Sequence, residues 1–380
     1  MVRYSGTYLK SPRAGDILVR WFKPMAKRGW KLCLVLEYPP EDKSWLTSLE
    51  DLGVCIEYLP RPLGNFDLGC IKRAYSLCKK HEIDVFHCDN IHTSPLLGAY
   101  LAKAPVRLWH KRSMNSVYEE SRALTLRDRL SFSVRVSSMV ATKIVAVSDL
   151  VKQELIELGI TPSKIEVKIN PIDFEVLATE KTRSEVLSDY GFDKDDLIIL
   201  TMGHSVKVKG WDLLIGAFGQ IASSVPRAKL LMAGGVSRPE EIKMYEELKE
   251  KIDVLGLIDR VQFTGHLMAI GDVFSSSDVF VFPSRSEGCG NALIEAWASY
   301  LPCISTRVGV APNLIEDGVN GILVDRGDEN ALANAMLHLL QDAEMRERFV
   351  QEIKKSTMLV DYNQYAEKMS EDYALMFKNC

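Results

Sequence analysis

No stretch of about 18 or more apolar residues occurs anywhere in the chain, so no membrane-spanning helix is expected. The opening residues, MVRYSGTYLKSPRAGD, lack the apolar core of a secretory leader. There is no CxxC and there are no clustered His partners. The eight cysteines (Cys33, Cys55, Cys70, Cys78, Cys88, Cys289, Cys303 and Cys380) are scattered. That scatter argues against a disulfide framework and a zinc site, and fits reduced, buried thiols in a cytoplasmic protein. Internal repeats and low-complexity tracts are missing as well. The one DxD, Asp193-Lys194-Asp195, precedes a β-type run rather than following one, so it reads as a loop and not as a metal site.

What is present is the composition of a globular protein, 47% hydrophobic and 26% charged, over 380 residues. That length suits two domains of about 150–200 residues each. The net charge of −4 conceals an asymmetry. Up to Val176 there are 26 Lys+Arg against 20 Asp+Glu, and beyond it 21 against 31. Much of the basic excess lies in Lys103–Arg135. It suggests an anionic partner, such as phosphate groups or the inner face of a membrane, or else a solvated helical face. Nucleic acid is not among the expected partners.

Short β-type runs alternate with longer amphipathic stretches, the pattern of βαβ units and parallel sheets. In the first half KLCLVLE, CIEYL, DVFHC, VRLWH and KIVAVS read as strands; in the second, LIILTMG, AKLLMAGG, VQFTG, DVFVFPS, PCIST and GILV. Helices are expected over Asp16–Arg28, stopped by Gly29, and over DLVKQELIELGI, capped by Ser148 or Asp149. The stretch Ile169–Val186 reads as the connection between the sets. The expected architecture is α/β, two doubly wound Rossmann-like domains of 1–175 and 176–359, with the ligand in the cleft at the carboxyl ends of the strands.

The chemistry concentrates in VFPSRSEGCGNALIEAW, Val281–Trp297. It reads as strand, turn and helix. A helix N-terminus carries unpaired N–H groups and partial positive charge, which suits a phosphate. Gly288 and Gly290 let backbone approach a ligand closely. Glu287 lies just before that anion site, and Glu295 just over one turn into the helix. Carboxylates accept hydrogen bonds only, and vicinal sugar hydroxyls donate them. One acid on each side of a diphosphate therefore suits a nucleotide sugar. Three other readings stand beside it: a dinucleotide fingerprint, with Leu293 in place of its third small residue; a glycosidase pair, which needs acids facing one bond from opposite sides; and a merely capped helix with a buried Glu. A second constellation, TMGHSVKVKGWDLLIGAF, carries Lys207 and Lys209 in the first strand–helix loop of the second half, where a lysine suits a departing diphosphate.

With these motifs in order, the second half resembles the retaining glycosyltransferases of family 4, which have the GT-B fold. The residues that carry it are GHSVKVKGWDLLIGAF, AKLLMAGG, VQFTGHL, SSSDVFVFPSRSEGCGNALIEAWASYLPCIST, VGVAPNLIEDGVNGILV and GDENALANAMLHLL. The first half matches more loosely, through DVFHCDN, VRLWHK, KIVAVSDLVKQELIELGI and KIEVKINPID.

The resemblance implies an acceptor-binding first domain, to which a last helix within 360–380 crosses back, and a donor-binding second domain. It implies that Glu287 binds hydroxyls of the donor sugar and Glu295 the ribose. Amides around Gly288, Cys289, Gly290, Asn291 and Ala292 would hold sugar and phosphates, and Lys209 would neutralise the leaving diphosphate. His110 matches the family position near the reaction centre, and Thr264, Gly265 and His266 would flank the base. The expected reaction moves a hexose from a nucleoside diphosphate sugar, UDP foremost, to a hydroxyl of a glycan or lipid-linked glycan, in polysaccharide or glycoconjugate synthesis. Anomeric configuration would be retained, without a metal or cofactor. A nucleotide-sugar epimerase and a degenerate nucleotide-sugar-binding protein are the alternatives.

The sequence departs from the family at three places. His204 stands where Arg is usual, with Lys207 nearby as a compensating charge. The acceptor-side loop retains a single glycine, Gly15. Tyr300 occupies a usual glycine position.

Overall fold

A computed structural model of the chain describes residues 1–5, 12–40, 43–89, 93–114, 132–236 and 238–378; for 2–5 and 12–14 only the backbone is described. The described residues form two compact units. One runs up to Pro171 and takes in Val360 onward; the other is Ile172–Leu359.

The first unit holds a seven-stranded sheet, β1 (Val2–Ser5), β2 (Leu32–Leu36), β3 (Val54–Tyr58), β4 (Val85–Asp89), β5 (Val106–Lys111), β6 (Lys143–Ala146) and β7 (Ile165–Val167). The strands lie side by side as β3-β2-β1-β4-β5-β6-β7, and every ladder is parallel. The second unit holds β8 (Leu197–Met202), β9 (Ala228–Ala233), β10 (Val261–Gly265), β11 (Val279–Phe282), β12 (Cys303–Thr306) and β13 (Gly321–Val324). Their order, β10-β9-β8-β11-β12-β13, again in parallel, repeats the same winding. In each sheet the order reverses between the unit's first and fourth strands, and loops leaving the carboxyl ends there line a ready crevice.

Strands buried on both faces read as unbroken apolar runs, and β2, β4, β11 and β12 are buried at every position. In the first unit Leu34, Val85, Val106, Leu108 and Val145 pack with Leu18, Trp21, Phe22 and Met25 of helix Pro12–Lys27. Tyr365, Met369 and Tyr373 of the last helix, Tyr362–Lys378, complete that core. The second core gathers Ile199, Leu230, Val279 and Ile304 under Trp211, Leu214 and Phe218 of helix Trp211–Ile221. Each such large side chain contributes about 1.5–3 kcal/mol when fully buried.

The helix ends follow the sequence signals. Ser148 Oγ accepts from Val151 N–H (3.3 Å) to open helix Asp149–Glu157, and Gly159 follows it in the left-handed region. Two strands are weak in the sequence. β7 has three residues at a sheet edge, and β1 has four, yet it is placed centrally by its ladders to β2 and β4. Gly15 corrects an expectation. It sits within helix Pro12–Lys27 and not in a loop, and a Cβ there would lie 2.0 Å from Trp45 Cγ. Its small size serves helix packing.

The basic stretch Lys103–Arg135 is described only in part, and there Lys103 and Arg135 are exposed. Residues 115–131 lie outside the described residues. Of the others, Arg107 turns back on the carbonyls of Ala104, Pro105 and Val140. Lys111 is buried, and that burial, opposed by Glu154, brings its ammonium down to about 8. Arg107 and Lys111 thus serve the unit itself. Among the seven described cysteines all are free, and Cys55 is exposed rather than buried. No helix among the described residues is long and apolar enough to cross a membrane.

Candidate functional site

Strands β8 and β11 are neighbours at the reversal of the second sheet, so the loops that follow them meet. The β8 loop makes a single turn, Lys207–Lys209, and enters helix Trp211–Ile221 through Gly210 at φ +69°. A Cβ on Gly210 would lie 2.0 Å from Pro283 O, so glycine is required both by backbone conformation and by the approach of the other loop. Arg285 fastens the two loops together. Its N–H donates to Val208 O (2.7 Å), and its guanidinium donates to Lys207 O (2.8 Å) and in bidentate fashion to Asp212 (2.6 and 3.0 Å). Burial works to raise the Asp212 pKa, but Arg285 and Lys207 outweigh it and hold the carboxyl below its ordinary range.

On this stapled frame Lys209 Nζ donates to Glu287 Oε1 (2.6 Å), and Ser284 Oγ donates to the same oxygen (2.9 Å). Ser284 is held in turn, because Thr306 Oγ1 donates to its carbonyl (2.5 Å). The Gly288–Gly290 turn is pinned from below where Val310 N–H donates to Cys289 O (2.7 Å). Gly290, at φ +99°, opens helix Asn291–Ala298, which has no side-chain cap. Asn291 and Ala292 form its first turn, and half-buried Glu295 lies one turn on. The arrangement offers a positive helix end, an ammonium and two carboxylates within one continuous segment and its neighbour.

Beside it, at the carboxyl ends of β8, β9 and β10, is a cavity of about 190 Å³ lined by His204, Gly234, Gly235, His266, Leu267 and Ile270, among others. Gly234 admits no side chain, since a Cβ would lie 1.6 Å from Gly203 O. Gly265, at φ +69°, turns the chain into His266, and Thr264 Oγ1 donates to Gly265 O. His204 is largely exposed, with Nδ1 3.4 Å from Oε1 of fully buried Glu241, an oxygen that also accepts from Arg238. Lys207 does not reach toward His204 as a compensating charge; its Nζ donates to Asp212 (2.5 Å).

In the first unit the chemistry gathers at the ends of β4 and β5, where Asp89 is the register partner of His110. His110 is fully buried. Its Nδ1 lies 3.1 Å from His87 Nε2, 3.3 Å from Asp89 Oδ1 and 3.4 Å from Arg112 Nη2, while Nε2 has no partner among the described residues. Burial, and then the Arg112 charge, hold its pKa well below the ordinary imidazole value, so the ring is neutral at pH 7. Arg112 Nε donates to Asp89 Oδ1 (2.9 Å).

Two clusters of the described residues bring metal-ligand types together, Cys33–Cys55–His81 and His87–Asp89–His110. In the first, which holds no acid, His81 Nε2 already bonds Glu57, an acid that Lys80 also bonds; in the second, Arg112 bonds Asp89. Neither includes Asp193 or Asp195.

The structure thus brings Lys209, Glu287, Gly288, Cys289, Gly290, Asn291 and Glu295 together on adjoining loops, and sets His204 and His266 round one cavity, with Gly265 preceding His266 in the chain and not in the lining. Sequence reasoning missed Arg285 and Asp212, whose signal was an opposite-charge pair, one in each loop. It also missed His87, Asp89, Arg112 and Tyr373. Of these, His87 and Asp89 were visible as polar residues ending an otherwise apolar strand.

Comparison with known proteins bears on both halves. Residues 182–356 match the model described as glycosyl transferases group 1, and residues 22–176 match glycosyltransferase family 4. The N-acetyl-alpha-D-glucosaminyl L-malate synthase of Bacillus anthracis is 27% identical over 322 residues, 82% of this chain and 79% of that one. The capsular polysaccharide biosynthesis glycosyltransferase CapM of Staphylococcus aureus is 28% identical, over 66% of this chain and 65% of its own. Among solved structures, Anabaena HepE in complex with UDP superposes with a TM-score of 0.79 at 21% identity, covering 98% of this chain and 99% of that one.

Proposed function

Starting from a chain that belongs to the glycosyl transferases group 1 and has the GT-B fold, we propose that this glycosyltransferase moves a hexose from a UDP-sugar to a glycan or lipid-linked hydroxyl with retention. The observation that carries the donor reading is the Lys209–Glu287 pair seated before the N-terminus of helix Asn291–Ala298, which has no side-chain cap. A diphosphate entering there meets helix amides and an ammonium, while sugar hydroxyls donate to Glu287 and ribose hydroxyls to Glu295. The cavity at His204 and His266 is smaller than the usual 300–1,000 Å³ or so of a whole ligand site, and suits one flat ring such as the base. The choice of UDP draws on the ligand of HepE, and the acceptor class on the work that CapM's name describes.

In the reaction the bond between the anomeric carbon and the diphosphate oxygen breaks, the acceptor oxygen bonds the same face, and its proton passes to the departing diphosphate oxygen. Lys209 and the helix amides stabilise the charge that builds on the departing diphosphate, so no metal is required of this site. In the first unit, the Nε2 of neutral His110, which no described residue bonds, forms a hydrogen bond with a sugar hydroxyl.

The test is a thermal-shift panel of UDP-, GDP-, ADP- and dTDP-sugars, followed by product NMR with the donor that stabilises most. A UDP-sugar that stabilises the protein and yields a product of unchanged anomeric configuration supports the proposal. Stabilisation by no donor, or an inverted product, overturns it.

A further inference from the structure

The register of the first sheet gathers donors that stand far apart in the sequence. β2 and β3 pair in parallel with Cys33 opposite Cys55, so the two thiols share one face, and Glu57, two residues on, shares it too. Leu32, Leu34 and Val54 point the other way, into the core around Trp21. His81, the residue that ends helix Leu68–Lys80, joins the thiols: both sulfurs and a ring nitrogen of His81 lie within 4.8 Å of one another. Cys33 is buried, His81 half-buried and Cys55 exposed, so solvent reaches the group at Cys55.

Two thiols and an imidazole are the ligand types of zinc and other thiophilic cations. Ligands bound to such a metal stand about 3.5–3.8 Å from one another, so small turns of exposed Cys55 and of His81 at its helix end close the present spread. His81 Nε2 lies 2.7 Å from Glu57 Oε1, an oxygen that also accepts from Lys80 Nζ (2.6 Å). A carboxylate behind the other ring nitrogen is what orients most metal-bound imidazoles. Charge balances as well, because a dication offsets two thiolates while Lys80 offsets Glu57. Burial, and then the Cys55 thiol beside it, push the Cys33 thiol far above its ordinary value, so a free Cys33 keeps its proton at pH 7. We propose that Cys33 Sγ, Cys55 Sγ and His81 Nδ1 hold a thiophilic dication, zinc foremost, with Glu57 orienting the ring and water in the fourth position. Each thiol gives its proton to solvent as its sulfur takes the metal.

Cys33 and Cys55 are the second residues of their strands, at the amino edge of the sheet, whereas His110 lies near the carboxyl end of β5. The site is therefore apart from the transfer chemistry and does not depend on it. Its consequence is structural: one ion ties β2 and β3 to the end of helix Leu68–Lys80, and an ion that binds only the folded chain raises its melting temperature. Spacing along the chain argued against zinc; strand register undoes that argument for this one pair of cysteines.

The experiment titrates the reduced, chelator-treated full-length chain with Zn²⁺ and, separately, with Co²⁺, whose absorption reports its ligands. Wild type is expected to bind one Zn²⁺ per chain with release of protons and a rise in Tm, and to show thiolate-to-cobalt charge-transfer bands in the near ultraviolet. Cys55→Ser and His81→Gln are each expected to weaken Zn²⁺ binding by more than the roughly tenfold that loss of an outer partner costs. Wild type that binds no stoichiometric Zn²⁺, or Co²⁺ bound without charge-transfer bands, overturns the proposal. So does a folded Cys55→Ser that binds Zn²⁺ as wild type does. Should Cys55→Ser fail to fold, His81→Gln is judged by the same criterion. The titration needs no sugar donor, so its outcome is independent of whether the transferase reading holds.

Discussion

Lys209 Nζ and Glu287 Oε1 lie 2.6 Å apart, so the cation assigned to the diphosphate and the acid assigned to the sugar neutralise one another before a ligand arrives. A diphosphate must compete with Glu287 for the ammonium. Glu287→Gln keeps an acceptor for Ser284 but removes the competing charge. It is expected to tighten UDP binding several-fold by calorimetry while slowing sugar transfer. Lys209→Met is expected to lower kcat by about 10²–10³. Weaker UDP binding in Glu287→Gln would sink this account of the pair.

Asp212 gives the second unit a pH signature. Its folded pKa is depressed, so the stability contributed by the ionised carboxylate is complete above the ordinary aspartate value of about 4 and drains away as pH falls through the folded value. Asp212→Asn leaves Arg285 buried without its counter-charge and should cost about 3 kcal/mol at pH 7. The gap between wild type and variant should narrow below about pH 4 in melts recorded across pH. A gap independent of pH would rule out this origin.

Gly210 and Gly191 separate conformation from contact. Both have positive φ, but a Cβ on Gly210 would meet Pro283 O whereas one on Gly191 meets nothing within 4 Å. Gly191→Ala should cost about 1 kcal/mol, and Gly210→Ala about 2 kcal/mol or more as the two loops are forced apart. Only the second should also impair donor binding, read by the UDP-induced shift in Tm. Equal effects of the two on both readouts would contradict the assignment.

His204 faces the cavity without the fixed charge of a guanidinium. His204→Arg should tighten UDP binding by about threefold to tenfold, since Arg adds a permanent cation and a second hydrogen-bonding edge. The measurement is a calorimetric titration at constant salt. No gain, with a normal melt, would place the diphosphate away from position 204.

Much of this was legible in the sequence because parallel strands covered on both faces must be continuously apolar. β2 and β11 announced themselves that way, and glycines marked the turns that open helices Trp211–Ile221 and Asn291–Ala298. β1 was faint because four residues suffice when both neighbours supply ladders. Gly15 misled because a glycine is demanded equally by a loop and by a tryptophan lying on a helix. The ion pairs were invisible for a different reason: which of Glu287, Asp212 and Asp89 meets Lys209, Arg285 or Arg112 depends on strand order, and no local periodicity encodes that. Tyr300 shows the reverse case. It stands at a usual glycine position, and the chain there does adopt φ +59°, with the ring covered by Lys354 at 5.8 Å.

The core of the first unit includes Tyr365, Met369 and Tyr373 from the far end of the chain. On the ribosome these arrive only after Ile172–Leu359 has been made, a delay of roughly ten seconds or more at ordinary elongation rates. The second-born unit can therefore mature first, while the first-born waits with Trp21, Phe22 and His87 uncovered. Nascent chains arrested before residue 360 should be the ones that a chaperone holds.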